Sequence, residues 1–352
     1  MNRHRTPHGA PPTERHQRAR GALLGLAAGD ALGAPTEGMT LDGIRALHGR
    51  VTGFLSEDAA GTDDTEYAVL CARGLLRHGA ALTSDDVAAL WLEAVEGQVG
   101  GFYGAGFSEM AAIANLRAGL RPPVSGADSY ESWSDGAAMR VAPIGVFHAG
   151  DPEGAARTAA VDARVSHARD GIYGAQAVAA AVAAAMTARD HGEVLAAGLA
   201  ALPEDSWSAR LARRAVGLAE RAGGPEEAEA VLYREIPLFH YPWADAAPEA
   251  VALAFGIFAA TGGDPVAGIL SGVNIGRDSD TIAAMVGAMA GALHGESAIP
   301  DDWREQVTNV TGRCITATRG TDLVRLADEL CAAAAAAAPR RAGAPDDGSV
   351  TR

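Results

Sequence analysis

Along most of this chain apolar residues recur at intervals of three and four, the spacing that lines one face of an α-helix. Tyr67, Leu70, Cys71, Gly74 and Leu75 share such a face, and Gly79 supplies a stop. A second helix is predicted from Ser84, with Val87, Leu90, Trp91, Ala94 and Val95 as its stripe. Asp151-Pro152 and Asp264-Pro265 each place an N-cap before a proline at the first helical position. The pattern continues through 251–258, 281–293 and 323–337. It predicts an all-α fold of roughly a dozen helices with short connections. Residues 51–55 alone resemble a strand, weakly, and no repeat period suggests a solenoid. The longest loops are expected at 121–133, placed to cover a site, and around 202–206. The polar ends, 1–17 and 339–352, read as disordered tails around one helical unit, 18–338.

Composition narrows the function. With 352 residues and 48% hydrophobic content the chain can bury a large core. A net charge of −15 repels phosphate backbones, so no nucleic-acid partner is expected. A small phosphate-bearing ligand stays compatible, because divalent metals reverse the local sign. Cys71, Cys314 and Cys331 are scattered and suggest neither zinc nor disulfides. No secretory leader and no membrane span are evident, so a cytoplasmic protein is expected.

Three segments carry candidate chemistry. Gly61-Thr62-Asp63-Asp64-Thr65 stands just before a helix, and so does Asn274-Ile275-Gly276-Arg277-Asp278-Ser279-Asp280-Thr281. Each alone is compatible with capping. Together they offer hard oxygens in the density that magnesium requires, and four carboxylates that would repel unless cations bring them together. The third segment runs from Arg20 to Glu37, where Gly25, Gly29 and Gly33 recur at four and mark close backbone packing. No Gly-Lys-Ser/Thr, Gly-x-Ser-x-Gly or His-Glu-x-x-His pattern is present. His148, His240 and His294 are isolated and read as structural, whereas Tyr241-Pro242-Trp243 suits either ring stacking or packing against a helix.

Five motifs in order resemble the ADP-ribosylglycohydrolases, which include the dinitrogenase reductase-activating glycohydrolases. They are residues 29–37, Thr62-Asp63-Asp64-Thr65, 136–145, Ser166-His167 and 276–283, and the likeness spans about residues 18–335. The resemblance implies an orthogonal helical bundle with a central dinuclear metal site, holding two Mg2+ or Mn2+ ions. By that likeness Thr62, Asp63, Asp64, Asp278, Asp280 and Thr281 are metal ligands. Glu37, Asp63 and Asp64 are catalytic, with Glu37 as ligand or general base. Gly136, Met139, Arg140, His167, Gly276, Arg277 and Ser279 border the substrate groove. Asp135, Arg277 and Ser279 depart from the family's common Asn, Gly and Thr, which alters the rim and not the metal ligands.

The implied reaction is hydrolysis of a ribosyl C1″ bond in an ADP-ribosylated protein, for example ADP-ribosyl-arginine. Two alternatives stand beside it. One is an N-glycosidase of a nucleoside-like metabolite. The other is a non-enzymatic scaffold or ADP-ribose-binding member, since the family includes proteins recruited as lens crystallins.

Overall fold

A computed structural model describes residues 13–98, 106–241 and 243–337. Among them lie eighteen α-helical segments and no strand, with isolated bridges at Ser134–Ala246 and Asn309–Asp322. Seven helices position the site: α1 Glu14–Gly33, α2 Asp63–His78, α3 Gly136–Arg140, α4 Asp170–Ala185, α5 Ala247–Ala260, α6 Pro265–Ile275 and α7 Ser279–His294. The helices outnumber the expected dozen in part because Val124–Ala127, Gly136–Arg140 and Ala142–Phe147 are too short to show a period. None of the described helices is long and apolar enough to cross a membrane.

Two expectations need correction. Residues 14–17, assigned to a tail, are helical, and the remaining stretches 1–12 and 339–352 lie outside the described residues. Residues 51–55 form no strand. Their one candidate ladder position, Val51, is paired by a side chain: its N–H donates to Asn274 Oδ1 at 2.9 Å, and its carbonyl accepts from Asn274 Nδ2 at 2.8 Å.

Several helix starts obey the capping rule read from the sequence, with Thr40, Thr83, Asp151, Asp190, Ser206 and Asp264 each accepting from a backbone N–H of the first turn. Asp151 accepts from Gly154 N–H at 2.9 Å and Asp264 from Ala267 N–H at 2.8 Å. Each such cap contributes about 1 kcal/mol.

α1 and α7 are buried nearly all round, as a helix without a polar face must be. They run antiparallel with Gly21 against Gly291, Gly25 against Gly287, Gly29 against Ala283 and Gly33 against Asp280. A Cβ on Gly25 would overlap the Gly287 carbonyl, and one on Gly33 would overlap the Asp280 backbone. The glycine spacing thus does two things. It lets the helices touch backbone to backbone, and it delivers the C-terminal end of α1 to the first residues of α7. Around this pair the buried apolar side chains form one continuous cluster from Ala19 to Ala334.

Candidate active site

At the site, two helix starts with capping-type residues leave them unused for capping. Thr62 at α2 and Asp278 at α7 hold the N-cap position, yet neither side chain caps its helix. At α2 the cap comes from α1. Buried Asp30 accepts from the N–H of Thr62 at 2.8 Å, the N–H of Thr65 at 3.0 Å and the hydroxyls of both threonines. Asp63 and Asp64 are not consumed in capping and turn into a cleft.

A second junction places Glu37. Gly38 N–H donates to Arg277 O at 2.7 Å, and Arg277 N–H donates to Met39 O at 3.0 Å. Gly276 makes the approach possible, because at φ 71° a Cβ there would overlap the Met39 carbonyl. Arg277 is itself left-handed at φ 63°, unusual for a residue with a side chain. The paired turns set Glu37 beside Asp278.

The cleft measures about 510 Å³, within the range of small-molecule sites. It is lined by the carboxylates of Glu37, Asp63, Asp64, Glu109, Asp135, Asp245, Asp278 and Asp280, with Arg277 as the one cationic side chain among the described lining residues. One oxygen each from Asp30, Asp64 and Asp280 lie within 4.8 Å of one another, and the same holds for Glu37, Asp278 and Asp280. Asp280 belongs to both groups. Two cations held by these groups would share one carboxylate, as the ions of two-metal sites do.

The crowding of carboxylates shapes the electrostatics of the cleft. Asp64 Oδ1, Asp280 Oδ1 and Asp135 Oδ2 are buried without a hydrogen-bond partner. Such oxygens carry a large desolvation penalty unless a proton or a cation meets them. Burial first, and neighbouring carboxylates second, push Asp63, Asp64, Asp135 and Asp280 well above the usual carboxyl range. Burial and the charges of Asp278 and Asp30 push Glu37 up to about 7. Burial with Asp278 and Glu131 does the same to Asp245, also to about 7. Asp30 is raised by burial, against the opposing pull of its threonine hydrogen bonds. An all-oxygen donor set with orphaned carboxylate atoms fits divalent cations of the magnesium and manganese kind.

The sequence pattern of ADP-ribosylglycohydrolase matches residues 11–340, nearly the whole chain. The chain belongs to the ADP-ribosylglycohydrolase family. An uncharacterized protein of Archaeoglobus fulgidus is 33% identical over 300 residues, covering 82% of this chain and 91% of the relative. ADP-ribosylarginine hydrolase Tri1 of Pseudomonas putida is 28% identical over 304 residues, covering 84% of this chain and 76% of that protein. A solved structure, an ADP-ribosylglycohydrolase-related protein complex, superimposes with a TM-score of 0.63 at 27% identity, covering 91% of this chain and 99% of the other. The all-helical fold is therefore that of the ADP-ribosylglycohydrolases, and the family's named members are hydrolases.

The structure brings Glu37, Asp63, Asp64, Gly136, Met139, Arg277, Asp278, Asp280 and Thr281 to one cleft. Thr281 Oγ1 also donates to Asp64 Oδ2 at 3.3 Å, tying α7 to α2. Thr62 stands behind the cleft wall with its hydroxyl donated to Asp30 at 2.7 Å. Four residues expected at the groove are placed elsewhere. Gly276 packs against Met39, and buried Ser279 bonds Gly33 O and the Thr36 hydroxyl. Arg140 and His167 are fully buried beneath the floor. Arg140 follows cleft-lining Met139 on α3, and a one-residue step turns a side chain by about 100°. The step aims its guanidinium inward, to Glu109 and Asp162 at 2.8 Å each.

That floor is a closed hydrogen-bond ring. Ser108 donates to Glu109 at 2.7 Å, so Ser134 must donate to Ser108, also at 2.7 Å. With its proton used, Ser134 accepts from His167 Nε2 at 2.9 Å. His167 Nδ1 then accepts from Ser166 at 2.7 Å, and Ser166 accepts from Arg140 at 3.0 Å. Burial and the Arg140 guanidinium hold His167 far below its usual pKa, so the ring is neutral and carries its proton on Nε2.

Sequence reasoning named neither Asp30, Glu109 nor Glu249 as site residues. Glu109 fits under α3 because position 136 has no Cβ, which would overlap its carboxylate. Glu249, fully buried on α5, takes the Arg277 guanidinium through Nε and Nη2, the latter at 3.1 Å. Arg277 is thus paired to Glu249, with the Phe239 ring at 5.3 Å from its guanidinium carbon.

Proposed function

We propose that this protein hydrolyses the ribosyl C1″ bond of an ADP-ribosylated protein, with arginine as the modified side chain, and releases ADP-ribose. The observation that carries the reading is Asp280, shared by two three-carboxylate groups in a cleft of nucleotide size. The relative named as an ADP-ribosylarginine hydrolase supports the linkage.

Two Mg2+ ions, with Mn2+ as the close substitute, would be held by Asp30, Asp64, Asp278, Asp280 and Glu37, with Asp63 and Thr281 beside them. When bound they supply positive charge against the carboxylates and Lewis acidity toward water and the ribose hydroxyls. The chain's own groups do the rest. Glu37, at the exposed edge of the cleft, is placed to take a proton from the attacking water. The water oxygen bonds to C1″, the C1″–N bond breaks, and its electron pair leaves on the guanidine, which picks up a proton. The surrounding carboxylates stabilise the positive charge that grows at C1″. Phe107 and Trp243, with ring centroids 5.6 Å apart at the cleft mouth, offer a face for the adenine.

The test is release of ADP-ribose from an ADP-ribosyl-arginine protein, with Mg2+ and with EDTA. Release that chelation abolishes is expected. No release, combined with cleavage of a small N-ribosyl metabolite, would move the substrate to that class.

A further inference from the structure

Arg277 and Arg169 are the only residues other than glycine with a left-handed φ among the described residues. A side chain in that conformation carries strain, so its surroundings must hold it there. At Arg277 much depends on the turn. Its backbone N–H and carbonyl make the two bonds, to Met39 and from Gly38, that set Glu37 beside Asp278. Glycine at this position would take the shape without strain. Arginine needs a fastener.

Glu249 supplies it. This carboxylate is fully buried in the first turn of α5 and meets the guanidinium with both oxygens, Oε1 to Nε and Oε2 to Nη2. Oε2 also accepts from Leu238 N–H, and the ring of the next residue, Phe239, covers the guanidinium. No other cation pairs with Glu249 among the described residues. An ion pair so deeply buried contributes little net stability, because desolvating both charges offsets their attraction. What it fixes is geometry, through the planar two-bond fork. It also fixes where the positive charge goes. Arg277 is the one cationic side chain among the described residues lining a cleft of carboxylates. Released, its guanidinium would be free to fork onto Asp278 or Glu37 and to compete there with a divalent cation.

We propose that Glu249 is a positioning residue for the cation held by Glu37, Asp278 and Asp280: it clamps the Arg277 turn and keeps the guanidinium off those carboxylates. The inference rests on the two-cation reading and goes beyond it, since Glu249 neither lines the cleft nor belongs to either carboxylate group. The other group, Asp30, Asp64 and Asp280, is assembled by the bonds of Asp30 to the start of α2, which Glu249 does not touch. The two cation positions should therefore respond differently to its loss.

The experiment titrates Mn2+ into the full-length protein and counts free and bound ion by electron paramagnetic resonance. The unaltered protein should bind two ions. Glu249→Gln removes the charge and keeps the shape. It should weaken one ion by at least about tenfold, the scale of losing a group that orients a metal ligand. That ion should be the one that Glu37→Gln also weakens, and the other should hold its affinity. Glu249→Gln combined with Arg277→Gly should restore the weakened ion, because glycine keeps the turn unaided and no guanidinium competes. A merely structural role for Glu249 gives no such rescue, since the double variant has lost the pair altogether. Arg277→Lys keeps the charge and loses the fork, and should weaken the same ion with Glu249 intact. Helical circular dichroism monitors the fold of each variant. Unchanged affinities in Glu249→Gln, or a double variant as weak as the single one, would overturn the proposal. Should Glu249→Gln not fold, Arg277→Lys decides, and unchanged Mn2+ affinities there overturn it. An unaltered protein that binds no Mn2+ would sink the cation site and the role of the clamp with it. Release of ADP-ribose is scored separately, so that failure of the reaction and failure of the clamp are told apart.

Discussion

Asp264 and Asp278 stand at the starts of consecutive helices, α6 and α7, and look alike in the sequence. Asp264 spends its carboxylate on Ala267 N–H, as most capping residues in this chain do. Asp278 makes no such bond; it lies buried in the cleft within a group that includes Glu37 and Asp280. The same departure occurs at α2, where Asp30 caps from a distance and leaves Asp63 and Asp64 facing inward. The starts of α2 and α7 converge on one place. That contrast separates an acidic residue kept for the helix from one kept for a ligand.

Asp280→Ala should break the comparison most severely. Removing the shared carboxylate is expected to lower kcat at least about 10³-fold, about 4 kcal/mol of barrier. The metal-free protein should at the same time gain thermal stability, because a buried like charge is gone. Loss of stability without loss of activity would mean that Asp280 serves the fold. Next in size is Arg140→Leu, which leaves Glu109 and Asp162 buried without their cation. Urea denaturation should show a loss of about 3–5 kcal/mol. A loss under about 1 kcal/mol would remove Arg140 from the account of the floor.

The pH dependence has a definite sign. In the metal-free folded protein Glu37 and Asp245 sit at about 7, above their unfolded values, and buried Asp64 and Asp280 are raised as well. The folded state therefore holds more protons between about pH 4 and 7, so stability is greatest below that window and is lost as pH rises through it. Thermal melts of the metal-free protein should fall from pH 5 to pH 8, by an interval that Mg2+ closes. A melt that rises with pH would contradict the clustering of carboxylates. The smallest effect is expected at the ordinary start. Asp264→Ala should cost about 1 kcal/mol and leave turnover unchanged, which sharpens its difference from Asp278.

Local chemistry made much of this legible before the structure. The glycines at 25, 29 and 33 announced a close helix contact, and the structure answers each with backbone from α7. The acidic runs at 62–65 and 278–281 were recognisable as oxygen-rich helix starts. What stayed hidden depends on facing and on depth. Arg140 and His167 occupy motifs beside the cleft, but a one-residue step on a short helix decides whether a side chain meets ligand or core. Asp30 looked like one polar residue in a small-residue helix, because its partners Thr62 and Thr65 are more than thirty residues away. Glu109 and Glu249 are matched to Arg140 and Arg277 across similar separations, which no local pattern encodes.

The starts of α2 and α7 are proposed to form a two-cation site through Asp280. Titration of Mn2+ into the purified protein, followed by electron paramagnetic resonance, tests it directly. Two ions per chain with a spin-coupled signal, reduced to an uncoupled signal in Asp280→Asn, is the predicted result. Binding of no ions, or two uncoupled ions whose signal ignores that substitution, would contradict it.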